Sequence, residues 1–100
     1  MDSIDLTKLI PLPPIELKSM LGQLLTLYEI RKNKVEKKLI PFKHTIELIE
    51  VRSIYGSENK VISFRYINDG FECKSIILAP DGSFVKNPED IGNTKYIIVR

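Results

Sequence analysis

The residues able to do chemistry are few and scattered. His44 is the single histidine and Cys73 the single cysteine. A transition-metal site needs several nitrogen and sulfur ligands at short spacing, so this pair does not announce one. A nucleophilic cysteine needs a partner that takes its proton, and no histidine adjoins Cys73, which reads as a small apolar strand residue. His44 falls at the mouth of a strand pattern, where a histidine at the end of a core is expected. Glu47 and Glu50 come nearest to a carboxylate pair and read as solvent-facing. The five glycines stand singly at 22, 56, 70, 82 and 92, so no phosphate-cradling loop exists. No cofactor or metal is expected, and no motif supports an enzyme.

The basic residues carry more. Arg31, Lys32, Lys34, Lys37 and Lys38 crowd a short stretch against Glu36 alone. With Arg65 and Lys74 farther on, Arg31, Lys34, Lys37 and Lys38 form a candidate set for phosphate contacts of a nucleic acid. Bulk charge does not argue for this, because 15 Lys and Arg against 13 Asp and Glu leave a net of +2. The signal is local.

Length and periodicity define the elements that must position these residues. One hundred residues, 43% hydrophobic and 28% charged, make one globular domain, 1–100. Residues 1–13 read as an extended arm, made stiff by Pro11, Pro13 and Pro14. The spacing then predicts a long helix over 14–39, with Leu17, Leu21, Leu24, Tyr28, Val35 and Leu39 in one stripe, ended by Pro41. Arg31 lies inside that stripe, where a charge needs a carboxylate partner or a route to water.

From 43 onward the period changes to two. A bulge at Leu48 and Ile49 is needed to bring Ile46, Leu48 or Ile49, Val51 and Tyr55 onto one inward face. Ile62, Phe64 and Tyr66 form the inward face of the next strand. Treating Asp69 and Gly70 as a two-residue turn pairs Tyr66 with Cys73, Phe64 with Ser75 and Ile62 with Ile77, and sets Arg65 opposite Lys74. A turn at Pro80 to Ser83, a short strand from Phe84, a capped helical turn at Asn87 to Asp90 and a last strand from Lys95 complete the pattern.

The expected fold is therefore α+β, one long N-terminal helix packed on a four- to five-stranded antiparallel meander spanning 43–100. Its outline resembles cystatin-like folds in shape, a likeness that carries no function. One helix covers one sheet face, whereas Val61, Ile76, Leu78, Ile97 and Val99 ask for cover on the other. A second copy of the chain or a protein partner is expected there, which makes a non-enzymatic self-associating or protein-binding module the first functional expectation. Nucleic-acid binding through the basic helix end is the second. The N-terminal sequence lacks a signal-peptide pattern, no apolar run is long enough for a membrane span, and one cysteine suits a reducing compartment, so a cytoplasmic protein is expected.

Overall fold

In a computed structural model, residues 8–33, 35, 38–68, 70–87 and 94–100 are described. Helix α1, Pro14–Leu17, continues as one 3-10 turn, Lys18–Met20, and leads into six strands: β1 Leu24–Asn33, β2 Lys38–Ser53, β3 Lys60–Tyr66, β4 Cys73–Leu78, β5 Phe84–Val85 and β6 Thr94–Val99. They form one antiparallel sheet in the order β5-β4-β3-β2-β1-β6. The long helix over 14–39 and the helix-on-meander packing do not occur. The helical segment is only 14–20, and most of the stretch read as helix is β1 and the start of β2.

The physical reason lies at Gly22 and in the residues just beyond it. Gly22 takes φ +82, a left-handed conformation that stops the helix and that glycine adopts without steric cost. Past this point Leu25 and Leu27 are buried at period two, whereas Leu21, Leu24, Val35 and Leu39 of the expected helical stripe are exposed. Leu, Tyr and Ile at 24–30 satisfy both periods, and tertiary packing selects the strand. The likeness to cystatin-like folds goes with the helix.

The sheet curls strongly. β2, 16 residues long, pairs with β1 through its first part and β3 through its second, and the register shifts between Leu48 and Glu50, so Ile49 is the bulged residue where the strand can bend. The edge strands β5 and β6 consequently meet across the interior, with the Phe84 and Tyr96 rings edge to face at 5.0 Å. The inward positions Leu25, Leu27, Ile46, Leu48, Ile62, Phe64, Ile76, Leu78 and Ile98 fill this curl. Leu17 plugs one end of it. The Gly22 amide donates to the Leu48 carbonyl (2.8 Å) and the Leu48 amide to that of Gln23 (3.2 Å), tying the plug to β2.

The β3–β4 hairpin corrects a second expectation. Its connection is longer than a two-residue turn: the Tyr66 amide donates to the Glu72 carbonyl (2.8 Å), and Phe71 takes φ 60. The register is accordingly Arg65 with Cys73, Phe64 with Lys74 and Ile62 with Ile76. This slip of one residue exchanges the faces of β4. Ile76 and Leu78 point inward and are fully buried, while Cys73 is exposed. Arg65 does not face Lys74.

At the β4–β5 turn Asp81 accepts from the Ser83 hydroxyl (2.6 Å) and amide (2.9 Å), and these bonds hold its carboxyl below the usual carboxylate range. Gly82, beside it, has φ +87, and a Cβ there would stand 2.8 Å from the Leu12 carbonyl oxygen. The Leu12 amide donates to the Ile98 carbonyl of β6 (2.9 Å), so residues 11 and 12 strap the seam between β6 and the turn leading into β5. The helical turn expected at 87–90 and the start of the expected arm fall on segments of which 88–90 and 1–7 lie outside the described residues. Among the described residues no helix is long and apolar enough to cross a membrane.

Two substitutions check this packing. Leu78→Asp places a charge in the core and is expected to remove about 4 kcal/mol or more of stability, unfolding the domain instead of giving a folded monomer; circular dichroism decides. Gly82→Ala combines a positive φ with the Leu12 clash and is expected to cost about 1–3 kcal/mol in urea denaturation.

Candidate functional site at the foot of the β1–β2 ribbon

The inward face of every long strand changes character along its length. On β1 the sequence of inward positions is Leu25, Leu27, Glu29, Arg31; on β2, read in the same direction, it is Leu48, Ile46, His44, Phe42. β3 passes from Ile62 and Phe64 to Tyr66, β4 from Leu78 and Ile76 to Lys74, and β6 from Ile98 to Tyr96. The curl is thus apolar and plugged at one end and polar at the other.

Glu29 anchors the polar end. It is 6% exposed. Desolvating a carboxylate costs several kcal/mol unless it is well paired. Arg31 supplies the pairing: its Nε donates to Oε1 at 2.7 Å and its Nη2 lies 2.6 Å from the same oxygen. The two residues share a face because strand side chains repeat every second position. Oε2 lies 3.4 Å from His44 Nε2. The His44 ring packs against Tyr66 at 4.8 Å between centroids, and the Arg31 guanidinium sits 5.2 Å above the Phe42 ring. Across the opening the Lys74 ammonium donates to the Tyr96 hydroxyl and lies 4.7 Å from that ring's centroid. Glu29, Arg31, His44, Tyr66 and Lys74, with Glu72 and Cys73, line an open cleft of about 240 Å³. Among the described residues no group of three or more His, Cys, Asp or Glu is arranged to hold a metal ion.

The sequence-derived site residues are divided by the fold. Of the expected apolar outer face, Ile76 and Leu78 belong to the core, Ile97 is buried on the outer side of β6, and Val61 and Val99 are half-buried. Val61 on β3 is separated from Val99 on β6 by β2 and β1, so the five do not form one patch. Of the basic set, Arg31 and Lys38 stand on the β1–β2 ribbon, while Lys34 and Lys37 lie outside the described residues. Arg65 pairs with Glu47 on the outer face, away from the ribbon, whereas Lys74 turns inward to Tyr96 and shares the lining of the cleft with Arg31. Arg31 does have the carboxylate partner its position demands, from a strand neighbour.

Sequence reasoning does not single out Glu29 or its contact with His44. The available signal is the run Leu25, Leu27, Glu29, Arg31, an alternation that turns charged halfway, visible only once 24–33 is treated as a strand.

No protein-family model matches the chain, no curated protein matches it, and no solved structure matches its fold. Function is therefore read from this chain's own geometry.

If Arg31 is what makes buried Glu29 tolerable, Arg31→Ala is expected to destabilise the protein by roughly 1–3 kcal/mol. Adding Glu29→Met, which removes the stranded charge, is expected to recover most of that loss, as a double-mutant cycle in urea would register.

Proposed function

We propose that this protein binds nucleic acid by holding the phosphate backbone with its β1–β2 ribbon. The observation that carries the reading is where the positive charge lies. Residues 31–43 contain Arg31, Lys32, Lys34, Lys37, Lys38 and Lys43 against Glu36, a local net of +5, so with +2 overall the rest of the chain is at −3. Among the described residues the ribbon is also the part of the sheet that outruns its neighbours. There β6 accompanies β1 as far as Arg31, opposite Thr94, and β3 accompanies β2 as far as Ile46, with one further bond from the Ile67 amide to the Thr45 carbonyl. The paired strands continue to Asn33 and Lys38, the two residues that bracket the basic stretch 34–37. A two-stranded ribbon is of a width that a major groove admits, and a projecting one brings its cations to phosphates without burying them.

A protein partner, including a second copy of the chain, is the second reading. Val35 is 91% and Leu39 57% exposed near the tip of the same ribbon, apolar surface that a partner would cover.

Salt separates the two. Fluorescence anisotropy with labelled DNA and RNA is expected to give an affinity whose logarithm falls with the logarithm of salt at a slope of about −4 for duplex, reduced in size by about 2 in Lys32→Gln/Lys38→Gln. A lack of binding at low salt overturns the nucleic-acid reading. A salt-resistant dimer by light scattering, dispersed by Val35→Asp/Leu39→Asp, supports the second.

A further inference from the structure

Resting on the nucleic-acid reading, we infer that the polar cleft takes one unpaired base of the strand whose phosphates the ribbon holds, and favours bases that carry an exocyclic amine. Arg31 belongs to both regions. It stands at the foot of the ribbon, and its guanidinium joins the Glu29 carboxylate to the Phe42 ring. A strand running along the ribbon cations therefore passes the opening of the cleft.

The cleft has the wrong charge for a phosphate. Glu29 and Glu72 offset Arg31 and Lys74, and the most deeply placed of the four is the Glu29 carboxylate. A neutral guest that offers N–H donors to a carboxylate and flat faces to rings suits it better. The rings are in place: Tyr66 and His44 line one wall, and the Arg31 guanidinium, which also lines the cleft, offers a planar cation of the kind on which bases stack. The volume, about 240 Å³, lies below the usual range for drug-sized ligands and admits a base without its sugar and phosphate. A base inside a duplex is stacked and cannot enter, so the guest comes from a single strand or is turned out of a helix.

Hydrogen-bond chemistry then sets recognition. A carboxylate accepts from the exocyclic amine of cytosine, adenine or guanine, whereas thymine and uracil offer in its place only the N3 imide N–H, flanked by two carbonyl oxygens that a carboxylate repels. The ribbon contacts phosphate and is indifferent to base identity. Affinity is set by one region and preference by the other.

The test compares oligo-dA, oligo-dC and oligo-dT, with a duplex of mixed sequence, by fluorescence anisotropy at low salt. Oligo-dC and oligo-dA are expected to bind about tenfold more tightly than oligo-dT. Glu29→Gln is expected to abolish that ratio and leave the salt slope unchanged. In case that variant fails to fold, a second measurement uses the unaltered protein: proton NMR of the His44 and Tyr66 ring signals during titration with cytidine, adenosine or thymidine at high salt, where the ribbon contributes little. Shifts with cytidine or adenosine and none with thymidine support the inference. Equal binding of the three oligonucleotides, or ring signals unmoved by any nucleoside, overturns it. If no strand binds at low salt, the ribbon reading fails, and the nucleoside titration still judges the cleft separately.

Discussion

Phe84 and Tyr96 meet edge to face across the interior, and the rest of the molecule depends on that meeting. The strands that carry them are at opposite ends of the sheet order, so the contact exists only because the sheet has curled far enough to bring its edges together. Curling gives the sheet an inside, and an inside makes the alternation of side chains decisive. One parity of each strand is committed to the enclosed space and the other to the outer face. The bulge at Ile49 lets β2 serve two neighbours and turn between them, and Leu17 closes an end that the strands themselves leave open.

How much of this can be read from the amino acids depends on whether a segment obeys one period or two. Ile62, Phe64 and Tyr66, separated by Ser63 and Arg65, admit only a strand, and their face is legible. So is the bulge, because Ile46, Leu48 and Val51 cannot share a side without it. Residues 24–30 are the opposite case. Their apolar positions fit a helix and a strand equally, and the deciding fact, that a sheet is available to receive β1, resides in the distant residues of β6 and β2. The register of β4 escapes sequence reading for a different reason. Asn68, Asp69 and Gly70 suggest a tight turn, but Ile76 and Leu78 gain more from burial than a short loop can offer, and the longer loop lets them in.

The polar end is illegible as long as 24–33 is treated as a helix. On a helix Glu29 and Arg31 point in different directions; on a strand they share a face and bond to each other. The same change moves Arg31, Lys32 and Lys38 from a helix terminus, where their charge complements a dipole, to a two-stranded ribbon, where no dipole accounts for them. A concentration of cations without that structural explanation is better explained by something outside the chain, which is the basis of the proposed grip on phosphates. Glu29 is different in kind. Its charge is met by Arg31 and approached by His44, and its interest lies in facing a cleft instead of a filled core.

The pairing of β6 with β1 sets the order in which this chain can assemble. Thr26 lies beside Val99, so the two strands are joined by a very long intervening segment, while every other neighbouring pair in the sheet is made of strands consecutive in the chain. Local hairpins form on a microsecond scale, but a contact of such long range must wait for the loop to close. During synthesis the earlier strands are thus complete while Leu27 and Glu29 still lack the neighbour that covers their edge. The interior can be sealed only when β6 leaves the ribosome, and until then β1 presents an unpaired edge to its surroundings.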